Sequence, residues 1–143
     1  MAVSRTNSIL LVMALVLGTA SLSMAASGVA TYYEKYTRKS NLATSACYGN
    51  KNMGNMVAAA NDGLYNNGAV CGRCYAVKCT GATNGGGDNP CTGATVTVKM
   101  VDNCASSDGC QSTIDLSREA FAKIANLDAG IISITYNPTY DGF

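Results

Sequence analysis

Seven cysteines are the feature of this sequence that most constrains its fold. They follow an apolar N-terminal segment and are Cys47, Cys71, Cys74, Cys79, Cys91, Cys104 and Cys110. In an oxidising compartment, a cluster of this kind indicates a disulfide-stapled domain. Three disulfides and one leftover cysteine allow about 105 arrangements, so the residues alone do not choose the pairing.

The N-terminal segment indicates the compartment. Arg5 precedes an apolar run from Ile9 to Ala20, and Ser23-Met24-Ala25 then places small residues before a cleavage point. This order is typical of a secretory signal peptide. The apolar run of about 12 residues is shorter than the roughly 20 that a membrane helix needs. We therefore predict a signal peptide over residues 1–25, cleaved after Ala25 or Ala26, and one secreted domain over residues 26–143.

Charge and composition narrow the classes of function. Without Arg5, the ten Lys and Arg residues become nine, which balance the nine Asp and Glu residues. Zero net charge argues against nucleic acid and anionic membrane surfaces as partners, and favours a neutral ligand such as a polysaccharide. The sequence contains no histidine, which excludes Ser-His-Asp and Cys-His catalytic sites and His-ligated metals. We expect no cofactor and no membrane span.

The close pair Cys71-Gly-Arg-Cys74 has two other interpretations, a zinc site and a thioredoxin-type redox motif. A four-cysteine zinc site needs a second close pair of similar spacing, whereas Cys104 and Cys110 are six positions apart. The redox motif needs a helix start, but Cys74–Cys79 alternates like a strand. We therefore expect no metal.

Hydrophobic periodicity predicts a mainly β domain. Thr95–Val101 is the clearest strand, and its alternation points Val96, Val98 and Met100 toward the core. The segment Met56–Leu64 fits a short helix or a strand equally well. The other predicted features are strands at Val29–Tyr36, Cys74–Cys79 and Ile131–Tyr136, the last ended by Asn137-Pro138, a turn at Tyr65–Gly68 and a loop at Gly81–Pro90.

One helix is predicted after Ser117, which is a good N-cap, with Gly130 just past its end. Phe121, Ile124 and Ala125 recur at helical spacing and form its buried stripe. Many short strands, one helix and abundant turn residues suggest a small closed barrel.

Five motifs occur in order at compatible spacing: Gly28–Tyr33, Ser45–Gly49, Asn66–Tyr75, Val96–Cys104 and Ile114–Ser117. Together they resemble the N-terminal domain of expansins, and most closely the short plant natriuretic peptides and other endoglucanase-45-like domain proteins. The resemblance covers nearly all of the chain after the signal peptide. It implies a six-stranded double-psi β-barrel with short helices.

The resemblance also implies a cysteine pairing. The disulfides it suggests are Cys47–Cys71, Cys79–Cys91 and Cys104–Cys110, and Cys74 is then the free thiol. Two alternatives remain open for Cys74: a buried, small apolar side chain in a monomer, or a reactive thiol that links a dimer.

Four site residues follow from the resemblance. Asp115 matches the acid of the expansin His-Phe-Asp motif and of family-45 endoglucanases, and Asp102 matches a second acid that lines the groove. Thr31 and Tyr33 match residues that contact the sugar chain; with no tryptophan in the sequence, stacking on a sugar must use tyrosines. The alternative for Asp115 is capping of the helix start. Neither acid is a confident catalytic residue, because Glu34 is offset from the position of the base in the endoglucanases.

The function implied is that of a secreted, non-enzymatic barrel protein of the plant natriuretic peptide type. Such proteins act in the apoplast, on a cell-surface receptor, in water and solute homeostasis or in stress and defence signalling. The family associates this activity with the segment corresponding to Lys35–Leu64, in which Arg38, Lys39 and Asn41 are polar. The alternative is a protein that binds cell-wall polysaccharide or cleaves glucan weakly.

Overall fold

The computed structural model describes residues 24–34, 44–84 and 87–140. Residues 1–23 of the predicted signal peptide, together with Tyr36, Arg38, Lys39 and Asn41, lie outside the described residues, so these predictions stay untested. The strands are β1 (Ala26–Tyr33), β2 (Val57–Asn61), β3 (Cys74–Ala82), β4 (Thr95–Cys104), β5 (Ile114–Ser117) and β6 (Ile131–Thr139). The helices are α1 (Asp62–Tyr65) and α2 (Arg118–Ile124), with 3₁₀ turns at Asn66–Gly68, Ser106–Asp108 and Leu127–Ala129.

The six strands close into a barrel in the order β1-β5-β2-β4-β3-β6. The pairs β1/β5 and β2/β4 are parallel, and the other four pairs are antiparallel. The prediction of a mainly β, six-stranded barrel with short helices is therefore confirmed. In the part of the chain that the structure covers, no helix is long and apolar enough to cross a membrane.

The barrel interior is filled by aliphatic side chains from every strand. Val96, Val98 and Met100 of β4 are all buried, as their alternation predicts. Helix α2 closes one side of this core, because its residues Ala120, Phe121 and Ile124 are buried, as is Ala125 just after it. The ring of Phe121 packs against Tyr32 of β1 with 4.8 Å between ring centroids.

The sulfur atoms pair as the resemblance implies: the structure contains Cys47–Cys71, Cys79–Cys91 and Cys104–Cys110. Cys74 is the free cysteine, and it is buried, with 5% of its surface exposed. It lies at the start of β3, between Lys99 of β4 and Thr139 of β6. Burial favours the first of its two alternatives, a small apolar side chain inside the barrel wall.

The predicted end of the helix is wrong. Helix α2 ends at Ile124, and Ala125 is extended and forms a bridge with Cys91. Asn126 N donates to Pro90 O at 2.9 Å in the same place. Pairing with this remote segment stops the helix, and Gly130 instead follows the 3₁₀ turn Leu127–Ala129.

Several strand boundaries also differ from the predictions. Strand β1 ends at Tyr33, and Met56–Leu64 divides into β2 followed by the short helix α1. Strand β6 does not end before Asn137-Pro138; Pro138 pairs with Tyr75 of β3. Proline is tolerated there because the β1 partners of β6 extend only to Tyr136, so its missing N–H breaks no pair between β6 and β1.

The predicted turn Tyr65–Gly68 is confirmed, with left-handed backbone at Asn66 and Asn67. The predicted loop Gly81–Pro90 starts later than expected, because β3 continues to Ala82. Gly85 and Gly86 of this loop lie outside the described residues.

Candidate functional site

A row of side chains crosses four strands on the outer face of the barrel. Thr31 of β1 is in register with Asp115 of β5, Asp115 with Ala59 of β2, and Ala59 with Asp102 of β4. Residues adjacent to this row along the strands, such as Ala58 and Ile114, are fully buried in the core. Because side chains alternate along a strand, the row itself faces outward.

Asp115 and Thr31 are in direct contact. Thr31 Oγ1 donates to Asp115 Oδ1 at 2.7 Å, and the same hydroxyl lies 2.8 Å from Ser112 Oγ. The capping alternative for Asp115 is wrong, because Ser117 Oγ accepts from Ala120 N and caps α2. Asp115 is therefore left facing the outer surface.

The carboxyl group of Asp115 is half-buried, and this burial raises its pKa above the ordinary value. The hydrogen bond from Thr31 acts in the opposite direction, and the negative charge of Asp102 adds a smaller upward effect on the pKa. A carboxyl group in these surroundings holds its proton to a higher pH than an exposed aspartate does.

Asp102 does not touch Asp115. The two residues lie on strands separated by β2, so their backbones are about 9–10 Å apart, with Ala59 between them. The side chain of Ala59 is a single methyl group, so the surface between the two acids lies low. The row therefore has an acid on each side of a shallow depression.

Asp102 also fixes one wall of this depression. Its Oδ1 accepts from Ala46 N and from Asn103 N, both at 2.8 Å. Cys47 N donates to Val101 O at 3.1 Å, next to the Cys47–Cys71 disulfide. The turn Ser45–Gly49 is thereby attached to the end of β4, and we call it the wall turn.

Tyr48 of the wall turn packs on Gly72. A Cβ atom at Gly72 would lie 2.6 Å from Tyr48 Oη, and the backbone there has a φ of +80°. Glycine meets both demands, because it has no side chain and accepts left-handed backbone. This explains the glycine of the Cys-Gly-x-Cys motif, which leaves room for Tyr48, while Cys71 of the same motif is bonded to Cys47 of the wall turn.

Tyr33 lies two residues beyond Thr31 on the same face of β1. It lines a hollow of about 260 Å³ together with residues of the wall turn, Asn55 and Glu119. The floor is secured by Ser117, whose hydroxyl donates to Asn55 O. Tyr32 and Tyr75 pack in and around the core, so they are not available to stack on a ligand.

A second hollow, of about 410 Å³, lies on the opposite side of the row, displaced from it along the strands. Val29 and Thr113 line it, two residues before Thr31 and Asp115 on their strands, together with Asn61 of β2. Asp62 lines it too, and hydrogen bonds from Ser106 and Asn103 lower the pKa of this carboxyl group. The row and its two hollows form one outward groove, which we call the barrel groove.

The structure thus brings Thr31 and Asp115 into contact and places Tyr33 and Asp102 on either side of them. Glu34 is directed elsewhere: its carboxylate lies 3.7 Å from Arg118 Nε, and its side chain is 81% exposed. Sequence reasoning missed Ala59, Ser112 and Glu119, since none of them belongs to a recognisable motif. Among the described residues, no group of three or more His, Cys, Asp or Glu side chains could hold a metal ion.

The chain is similar to a known protein family and to individual plant proteins. Residues 57–136 match the family model described as lytic transglycolase. An EG45-like domain containing protein of Citrus jambhiri is 52% identical over 117 residues, which cover 82% of this chain and 84% of the relative. A putative EG45-like domain containing protein 1 of Arabidopsis thaliana is 52% identical over 118 residues, 82% of this chain and 87% of the relative.

Solved expansins share the fold. The apo expansin of Clavibacter michiganensis superposes with a TM-score of 0.61 at 29% identity, over 84% of this chain and 52% of that one. A mutant of the same expansin in complex with cellohexaose gives a TM-score of 0.55 at 26% identity, again over 84% and 52%. This chain therefore spans about half the length of the expansins it resembles.

The matched segment begins at β2 and includes both Asp102 and Asp115, so the similarity contains most of the barrel groove. The match to the EG45-like relatives extends over most of both chains, and about half of the aligned positions are identical. The chain belongs to the EG45-like domain proteins, which share the double-psi β-barrel of the expansins.

Proposed function

We propose that this protein is an extracellular, non-hydrolytic binding protein for a neutral cell-wall polysaccharide, held in the barrel groove. The observation that carries the proposal is the outward row of Thr31, Asp115, Ala59 and Asp102, with a hollow on each side of it along the strands. A groove open at both ends suits a chain that continues beyond the contacts. Its hydroxyls and carboxylates suit the hydroxyl groups of a sugar.

Charge and family support a neutral ligand. The central row contains two acids, and an anionic polysaccharide would meet repulsion there. An expansin of the same fold has been crystallised with cellohexaose, a neutral glucan oligosaccharide. Tyr33, in the hollow on one side of the row, supplies an aromatic surface on which a sugar ring stacks.

The proposal of a non-hydrolytic role rests on the contacts that the acidic side chains already make. Inverting hydrolysis needs an acid and a base roughly 6.5–9.5 Å apart, with the base free to activate a water. Asp115 has the raised pKa of an acid, but Asp102 Oδ1 accepts two backbone N–H groups and holds the wall turn. The remaining candidate, Glu34, is directed toward Arg118 at the surface.

Binding is tested by pull-down on a panel of insoluble wall polysaccharides, including cellulose and chitin. Tyr33→Ala removes the stacking surface and should lower the bound fraction several-fold, since an aromatic contact contributes about 0.5–1.5 kcal/mol beyond its buried area. Tyr140→Ala is the matched control, because Tyr140 is 98% exposed and lines neither hollow. Equal binding by both variants, or none by the wild type, would contradict the proposal.

Hydrolysis is tested by product analysis on the same panel. The proposal predicts no release of reducing sugar, even at high protein concentration. Release that disappears in Asp115→Asn would show instead that the groove is an active site.

A second candidate is signalling in water and solute homeostasis or in stress and defence, through a cell-surface receptor. It is favoured by the wall turn, a part of Lys35–Leu64 that Asp102 and the Cys47–Cys71 disulfide hold in place. In a protoplast swelling assay, a signalling protein should keep its activity in Asp115→Asn. Loss of swelling together with polysaccharide binding would assign both effects to the groove.

A further inference from the structure

Ser112 is one of two buried polar residues in the described parts of the chain, with 5% of its surface exposed. The other is Ser117, which caps α2. Ser112 lies between the Cys104–Cys110 disulfide and β5, and unlike Ser117 it does not cap a helix. Buried polar side chains are normally explained by the hydrogen bonds they make, and the close partner of Ser112 Oγ is Thr31 Oγ1, at 2.8 Å.

The number of hydroxyl protons decides which of these groups donates and which accepts. Thr31 has one hydroxyl proton, yet its oxygen lies within hydrogen-bond distance of both Asp115 Oδ1 and Ser112 Oγ. An ionised carboxylate only accepts, so the Thr31 proton goes to Asp115 and the Ser112 proton goes to Thr31. When Oδ1 of Asp115 carries a proton, all directions reverse: Asp115 donates to Thr31, and Thr31 donates to Ser112. The Ser112 proton then turns toward Cys110 Sγ, a disulfide sulfur 4.0 Å from Ser112 Oγ that can only accept.

We propose that Ser112 is a positioning residue for Asp115. Through Thr31, its hydroxyl acts as a donor when the Asp115 carboxyl group is ionised and as an acceptor when that group is protonated. The inference rests on the proposed function only in that Asp115 is taken to face the ligand. Without Ser112, protonation of Oδ1 leaves the Thr31 proton with no acceptor in a half-buried place. An unpaired buried donor loses its hydration without gaining a partner. This is a larger effect than the partial weakening that loss of cooperative polarisation causes in one bond.

The other groups around Asp115 do not supply this chain. Asp102 of β4 acts on Asp115 through its charge alone, and β2 contributes the apolar Ala59. Helix α2 carries Arg118, which pairs with Glu34 at the end of β1, and Glu119, which lines the smaller hollow. Asp108 precedes Ser112 in the loop and is exposed.

The test is an NMR titration of the Asp115 side-chain carboxyl carbon in the ligand-free protein. Ser112→Ala should lower the pKa of Asp115, because the protonated form loses its acceptor. Thr31→Val should raise the pKa, because the ionised form loses its donor. The opposite signs distinguish a reversible chain from a general loosening of the site, which would move both variants alike.

Two variants complete the design. Ser106→Ala removes a hydroxyl from the same loop that bonds Asp62, and it should leave the pKa of Asp115 unchanged. Ser112→Thr keeps the hydroxyl and should keep the wild-type pKa, which gives a readout even if Ser112→Ala does not fold. An unchanged or raised pKa in Ser112→Ala, or a lowered pKa in Ser112→Thr, would overturn the proposal. Because no polysaccharide is present, failure of binding would sink the proposed function without affecting this result.

Discussion

Asp115 is half-buried on β5, and its surroundings act on its carboxyl group in opposite directions. Burial and the charge of Asp102 favour the protonated form, while the Thr31 hydroxyl favours the ionised form. Burial is the larger effect, so the folded protein holds this proton more tightly than the unfolded chain does. A group of this kind makes stability depend on pH in a defined direction.

Comparison of wild type with Asp115→Asn isolates that dependence. The raised pKa means that the stabilising effect of the protonated carboxyl is fully present below the unfolded value of about 3.8. It is lost as the pH rises through the folded pKa, because the unfolded state then binds fewer protons than the native state. Urea unfolding at several pH values from about 3 to about 7 should show the wild type losing stability relative to Asp115→Asn. A difference that grows in favour of the wild type would contradict the stated direction.

The contact between Ser112 and Thr31 shows why part of the site was not predictable from the sequence. The two residues are 81 positions apart, and they meet only because β1 and β5 pair in parallel with Thr31 opposite Asp115. No local pattern around Ser112 encodes that register. Thr31 and Asp115 were predicted through their motifs, whereas their direct hydrogen bond was not.

At the scale of elements, local patterns predicted what local forces determine. The alternation of β4 and the Ser117 N-cap are short-range signals, and the structure contains both. The end of α2 was mispredicted because a bridge between Ala125 and Cys91 stops the helix. The extension of β6 through Pro138 likewise depends on its pairing with β3.

The row across β1, β5, β2 and β4 makes Ala59 a sensitive position. Ala59→Leu should raise the floor between Asp115 and Asp102 and lower affinity for cellohexaose at least tenfold, as judged by calorimetric titration. Crowding at this 5% exposed position should cost about 1–3 kcal/mol of stability, which leaves the barrel folded.

Ala94→Leu is the matched control for this substitution, because Ala94 is exposed and lines neither hollow. It should bind cellohexaose as the wild type does. Undiminished affinity in Ala59→Leu would place the ligand elsewhere on the surface.

At the scale of the whole molecule, three disulfides supplement a small core. They close loops with sequence separations of 24, 12 and 6 residues. Loop-closure entropy then gives stabilisations of about 3.4, about 2.8 and about 2.2 kcal/mol. Paired Cys→Ala variants should lower the unfolding free energy in the order Cys47–Cys71, Cys79–Cys91, Cys104–Cys110, as measured by urea denaturation. The reverse order would show that loop closure is not the dominant effect.

The accessibility of the Cys74 thiol decides whether two chains can be linked through it. Because its thiol is buried at the start of β3, it should react with an aromatic disulfide reagent only after unfolding in denaturant, with one thiol per chain. The native protein should run as a monomer on a non-reducing gel, and Cys74→Ala should leave that unchanged. A band of twice the mass that disappears in Cys74→Ala would instead support the Cys74-linked dimer.

Binding of a neutral polysaccharide in the barrel groove can be measured by amide NMR during titration with cellohexaose. The oligosaccharide should cause concentration-dependent shifts along one face, at Thr31, Tyr33, Ala59, Asp102 and Asp115, extending into the two hollows. The amide resonances of β3 and β6, which form the other side of the barrel, should not shift. Shifts confined to those strands, or no shifts at saturating oligosaccharide, would contradict the claim.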